Sequence, residues 1–212
     1  IAENILCNSL PLHRVNLDRL DEAAADWQPR LAHLPRPYLA LLVGGNSGSY
    51  VLDRRRALCL GGEASKLAAE AGGSLLVTTS ARTPKVAIDA LEQSLEVPAY
   101  FFRWSPSAAE NPYFGYLGLA DSLIVTGESV SMLTEACATR RPVYIFDPGN
   151  HPIALHCSGV AGQTSLTDTR RWWQRAENYR WRPLTHLLAQ KIGPSRMRRD
   201  VAVMQRHLID KR

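Results

Sequence analysis

The chain has 212 residues, a formal net charge of +5 and a 45% hydrophobic content. That balance supplies ample apolar material for a core and excludes collagen-like, low-complexity and disordered classes. No apolar run approaches the ~18–20 residues that a membrane-spanning helix needs. No signal peptide is visible, which by itself says little; the expected location is cytoplasmic, or peripheral to the membrane where the basic arm below engages one.

Residues 1–36 open with an irregular piece, CNSLPLHRVN. A helix then starts at Asn16 or Asp18 and reaches Leu34, with Leu17, Leu20, Ala24, Trp27, Leu31 and Leu34 on one side. Pro29 falls inside this pattern and is expected to bend or split the helix. The segment reads as a connector with no core of its own, ended by Pro35-Arg36-Pro37.

From Tyr38 the rhythm changes. Apolar runs at 39–43, 75–79, 99–102, 123–125 and 143–146 alternate with helical patterns at 57–71, 83–95, 113–119 and 130–139. Runs that are apolar at every position, separated by helices, predict an α/β fold with a parallel sheet buried on both faces. Right-handed crossovers make it a Rossmann-like doubly wound sheet over 37–150, for which the order 3-2-1-4-5 is the commonest.

Residues 151–212 lack that rhythm. They hold a Trp-containing patch (Trp172, Trp173, Trp181) and helical patterns at 184–192 and 195–208, and read as appended helices forming an arm. Between Arg170 and Arg212 lie 12 of the 25 Lys/Arg against Glu177, Asp200 and Asp210. The ordinary reading is a solvated helix face; the functional one is a contact with a membrane surface or a protein partner. No nucleic acid is expected as a partner. The four cysteines, Cys7, Cys59, Cys137 and Cys157, form no C-x-x-C pair and no cluster with histidine. They read as reduced thiols without a zinc site, and no metal is expected.

In an open parallel sheet, ligands bind beyond the carboxyl ends of the strands. The five strand ends are Gly44-Gly45-Asn46-Ser47-Gly48-Ser49-Tyr50, Thr78-Thr79-Ser80-Ala81-Arg82-Thr83, Arg103-Trp104 leading to Asn111-Pro112-Tyr113, Thr126-Gly127-Glu128-Ser129-Val130-Ser131, and Asp147-Pro148-Gly149-Asn150. The fourth runs from a strand directly into a helix. Its free backbone N–H groups and the positive end of the helix dipole make a place for a phosphate. The glycines of the first permit close approach to a ligand, although neither G-x-G-x-x-G nor a P-loop is present. Arg82 is suited to a phosphate or carboxylate, or serves only as an exposed arginine beside a helix cap. Glu135, one to two turns along the helix, can accept from a ribose diol or be a plain surface acid. Trp104 and Tyr113 can stack on a base, but aromatics beside a sheet are core more often than not. No serine, histidine and aspartate form a triad, and no G-x-S-x-G is present.

The segment 116–147 resembles the nucleotide-sugar-binding part of GT-B glycosyltransferases. It is similar to the carboxy-terminal lobe of the MurG-type N-acetylglucosaminyltransferase through Ala120-Asp121, the Gly127-Glu128-Ser129 turn, Glu135-Ala136 and Pro142. More of the chain resembles the mitochondrial-fission "elongate mitochondria"-like family, whose bacterial members are described as predicted nucleoside-diphosphate-sugar epimerases. The pieces that carry this are LPRP (34–37), LLVGGNSGSY (41–50), LLVTTSARTP (75–84), ENPYFGYLGLAD (110–121) and VTGESVSMLTEA (125–136).

The resemblance implies a GT-B carboxy-terminal lobe at 37–150, with 1–36 as the connection from an amino-terminal lobe that also carries the general base. It implies a nucleoside diphosphate sugar as substrate and no tightly bound cofactor. The pyrophosphate would meet Gly45, Asn46, Ser129, Val130 and Ser131, and the ribose Glu135. Thr79, Ser80 and Arg82 would lie on the base or phosphate side. Ser47, Asn111, Gly127, Glu128 and Met132 complete the expected substrate-binding set, and no catalytic residue is assigned. Glu128 departs from the family's glycine-rich turn and puts a negative charge beside the proposed pyrophosphate. The implied activity is glycosyl transfer; the alternatives are a nucleotide-sugar epimerase and a non-catalytic scaffold in fission-like processes.

Overall fold

The structure, a computed structural model, describes residues 10–47 and 50–146. The fifth strand-end loop at 147–150, the tryptophan patch and the helices expected in the arm lie outside the described residues.

Five strands make one sheet: β1 (Tyr38–Leu42), β2 (Ser74–Thr78), β3 (Ala99–Phe102), β4 (Ser122–Thr126) and β5 (Val143–Phe146). All pairings are parallel and the order is β3-β2-β1-β4-β5, as expected. The register sets Leu41 between Val77 and Ile124. Four helices make the crossovers: α2 (Arg54–Glu70), α3 (Lys85–Gln93), α4 (Tyr113–Leu119) and α5 (Val130–Ala138), preceded by α1 (Leu17–Leu31).

The apolar runs resolve into two faces because successive strand side chains point opposite ways. Leu39, Leu41, Val77 and Ile124 pack with Ala57, Leu60 and Ala64 of α2 and Leu91 of α3. Ala40, Leu42, Leu123 and Val125 pack with Leu20, Trp27 and Leu31 of α1, Leu117 of α4 and Leu133 of α5. Both faces are covered, so no position in β1 can be polar. Each fully buried aliphatic side chain of this kind contributes about 1.5–3 kcal/mol.

The helix read as a connector supplies part of that core. Asn16 caps α1 by accepting from the Arg19 amide at 2.8 Å. Trp27 meets Tyr100 and Tyr116 edge-on, each at 6.2 Å between ring centres. Gly118 lets the two backbones approach, since a Cβ there would stand 2.4 Å from the Leu20 carbonyl oxygen. One expectation for this helix fails and one is narrowed. Leu17 is 56% exposed rather than on the buried side. Pro29 does not split α1, because it falls in the last turn and the helix closes at Leu31.

The starting edge of the sheet is locked. The Tyr38 amide donates to Asp121 at 2.7 Å, the Asp121 amide donates back to the Tyr38 carbonyl at 2.8 Å, and Arg36 approaches Asp121 at 3.2 Å. The Ala120-Asp121 pair of the resemblance is therefore a structural staple. Arg141 donates to the Leu117 and Gly118 carbonyls at 2.6 and 2.5 Å and closes the C-terminus of α4. Its partly buried guanidinium is pushed below its ordinary value by loss of water. The opposite edge, where α2 to α5 begin, is left to hold a site.

Among the described residues, no helix is long and apolar enough to cross a membrane, and no group of three His, Cys, Asp or Glu could hold a metal ion. Cys59 is disulfide-bonded, against the expectation of reduced thiols throughout.

Candidate functional site

Three strand ends are stitched to one another before any cleft is formed. The Gly44 amide donates to the Thr126 hydroxyl at 2.8 Å, and the Gly45 amide donates to Glu128 Oε1 at 2.6 Å. Thr126 also donates to that carboxylate oxygen at 3.0 Å. The loop after β1 is thereby tied to the turn after β4. On its other side the Asn46 amide donates to the Arg82 carbonyl at 3.1 Å, and the Ser80 hydroxyl donates to the Gly44 carbonyl. Only glycine fits at Gly45: its φ is +105°, and a Cβ would lie 2.4 Å from the Arg82 carbonyl oxygen.

Glu128 is 2% exposed. Burial pushes its carboxyl above the ordinary range, opposed by the hydrogen bonds from Thr126 and Gly45 and by the charge of Arg82. Its side chain therefore holds the glycine loop from behind and does not stand in the cleft in front.

That cleft has a volume of about 460 Å³. One wall comes from the β2 end with Thr78, Thr79, Ser80 and Arg82; a second from Trp104, Asn111 and Tyr113; the floor from the first turns of α5, Ser129 through Met132 and Glu135. Ser129 is the N-cap of α5, yet its side chain makes no cap bond. Its hydroxyl instead lies 3.4 Å from the Arg82 guanidinium. The amides of Val130, Ser131 and Met132 belong to the first helical turn, where N–H groups have no intrahelical acceptor. They carry the positive end of the helix dipole into the cleft beside Arg82. An anion placed there meets amide donors, hydroxyls and a guanidinium together.

The far wall has a different chemistry. Tyr113 donates its hydroxyl to Glu135 Oε2 at 2.5 Å. Burial, and then the carboxylate, hold the phenol well above its ordinary value, so it keeps its proton. Asn111 accepts from the Tyr113 amide at 3.0 Å and starts α4 just ahead of Pro112. The Trp104 amide donates to the Thr79 hydroxyl at 2.9 Å, which pins that residue in the cleft wall, where it is 36% exposed.

Nine of the expected residues thus come together around one space: Thr79, Ser80, Arg82, Asn111, Ser129, Val130, Ser131, Met132 and Glu135. Gly45, Asn46, Ser47, Gly127 and Glu128 do not line it. Gly45 and Asn46 face the Arg82 backbone, and Ser47 exchanges backbone bonds with Tyr50 at 3.0 and 2.9 Å. The Gly45 and Asn46 amides, expected at the pyrophosphate, have protein acceptors in Glu128 and the Arg82 carbonyl. Thr78, Trp104 and Tyr113 line the cleft without having been assigned. Their signal was present as two aromatics and a hydroxyl at strand ends, but each type is more often core.

Comparison with known proteins adds a family. The family described as Mitochondrial fission ELM1 matches residues 1–184. Mitochondrial fission protein ELM1 of Arabidopsis thaliana is 28% identical over 143 residues, covering 68% of this chain and 33% of that protein. Uncharacterized protein RP120 of Rickettsia prowazekii (strain Madrid E) is 25% identical over 139 residues, covering 65% of this chain and 39% of that protein. The matched stretch therefore spans well under half the length of either relative.

Proposed function

The chain belongs to the mitochondrial fission ELM1 family, and from that footing we propose that its sheet forms the nucleotide-sugar-binding lobe of a GT-B-type glycosyltransferase. The observation that carries the reading is the convergence, in one cleft, of the α5 amides, Arg82 and Glu135. The diphosphate lies against Val130, Ser131 and Met132 with Arg82 at its side. Glu135, about one turn farther on, receives the ribose, and Trp104 offers a face to the base. Negative charge that builds on the leaving diphosphate during transfer meets fixed dipoles and a guanidinium, so no reorganisation is needed at that moment. The acceptor and the general base belong to a second lobe.

Calorimetry of the full-length protein against UDP, ADP, GDP and their sugar conjugates tests this. Saturable binding that weakens about tenfold or more in Arg82→Ala supports it, since a charge-assisted hydrogen bond contributes roughly 1.5–3 kcal/mol. Absence of saturable heat with every nucleotide overturns it.

The name of the Arabidopsis relative favours a second reading, in which the fold is a binding scaffold for a fission-like process. Under that reading a Ser131→Ala, Glu135→Ala double variant keeps full function in a cell-based complementation assay; under the first it loses it.

A further inference from the structure

Glu135 does not enter the cleft as an unattended carboxylate. Its Oε2 is taken by the Tyr113 hydroxyl at 2.5 Å. Tyr113 is itself fixed, by its amide on Asn111 Oδ1 at 3.0 Å and by an edge-on contact with Phe114 at 5.6 Å. The contact joins α4 to α5 across 22 positions of sequence. It locks the rotation of the carboxylate, and Glu135 Oε1 has no protein hydrogen-bond partner among the described residues. The phenol donates a hydrogen bond to Glu135 and keeps lone pairs on its oxygen. Because burial holds the phenol protonated, this direction of donation persists across working pH. Both residues line the cleft, and each keeps acceptor capacity beyond the bond they share. Two neighbouring hydroxyl donors are what a ribose offers.

Resting on the nucleotide reading of the cleft, we propose that Tyr113 is a positioning and specificity residue: with Glu135 it reads both ribose hydroxyls, so the site takes ribonucleoside diphosphates and rejects their deoxy counterparts. A brace that served only to hold α4 against α5 would change stability but not this selectivity.

The test is calorimetry of the full-length protein with UDP, ADP and GDP and the 2′-deoxy and 3′-deoxy form of whichever binds. The wild type is expected to lose about tenfold in affinity for each missing hydroxyl, as befits a hydrogen bond to or beside a charged acceptor. Tyr113→Phe is expected to bind the ribonucleotide more weakly and to discriminate against one of the two deoxy forms by less than about threefold, the range of a single weak hydrogen bond, while Glu135 still reads the other hydroxyl. Glu135→Gln should lose discrimination in the same way. A Tyr113→Phe variant whose ribose-to-deoxy ratio is unchanged or larger overturns the proposal while leaving the cleft reading intact. If Tyr113→Phe does not fold by circular dichroism, the wild type decides alone: sensitivity to only one of the two hydroxyls overturns it. Wild-type protein that binds none of the ribonucleotides removes the cleft reading and this proposal together.

Discussion

Glu128 and Gly45 stand 83 positions apart, and the Glu128 carboxylate accepts the Gly45 amide at 2.6 Å. The same oxygen receives the Thr126 hydroxyl at 3.0 Å. One buried acid thus sets the position of the glycine loop relative to the start of α5.

Replacing Glu128 with alanine leaves both donors buried without an acceptor. Urea denaturation should show a loss of about 1–3 kcal/mol, the range for an orphaned buried hydrogen-bonding group. Glu128→Gln retains an acceptor oxygen and should lose less.

The pH dependence has a definite sign. Burial raises the native carboxyl above its ordinary value, so in the window between the two the folded state holds a proton that the unfolded state has released. Stability from this group is present below the ordinary carboxylate range and is lost as pH rises through the raised native value. Glu128→Gln does not titrate. The stability of wild type minus that of Glu128→Gln should therefore fall as pH increases from 4 towards neutrality, read from denaturation curves at each pH. A difference that rises with pH contradicts a native carboxyl raised by its burial and shows that the hydrogen bonds and Arg82 dominate instead.

Two glycines with positive φ give an internal comparison. Gly45 has φ +105° and a Cβ there would meet backbone at 2.4 Å, whereas Gly72 has φ +68° and open space around it. Gly72→Ala should cost about 1–2 kcal/mol, the ordinary penalty for an L-residue in that region. Gly45→Ala should cost clearly more, because the Arg82 backbone must also move. Thermal melts of the two variants check the ranking.

Helix α1 is part of the packed domain, and its two sides should differ accordingly. Trp27, 9% exposed between Tyr100 and Tyr116, should cost about 3–5 kcal/mol on replacement by alanine. Leu17, 56% exposed, should change stability by no more than about 0.5 kcal/mol. Chemical denaturation distinguishes them.

Much of the fold was legible because both sheet faces are covered. Continuous apolar runs such as Tyr38 to Leu42 mark buried parallel strands, and β3, β5 and α4 fall where the pattern puts them. The C-terminal limit of α1 was not legible, since Leu34 continues the apolar spacing and is buried although the helix closes at Leu31. In the site, the fourth strand end was readable from local chemistry: a serine-rich turn opening a helix. The role of Glu128 was not, because its acceptor function depends on a loop 83 positions away. Tyr113 was discounted for a similar reason: only the packing of α4 against α5 brings its hydroxyl to Glu135.

The most direct measurement is amide NMR of isotope-labelled full-length protein titrated with the nucleoside diphosphate that binds in calorimetry. Saturable shifts concentrated at the Val130, Ser131 and Met132 amides, with the Trp104 indole moving alongside, are the expected result. Saturation that leaves those three amides unmoved, with shifts gathered elsewhere on the protein, would contradict a diphosphate site at the start of α5.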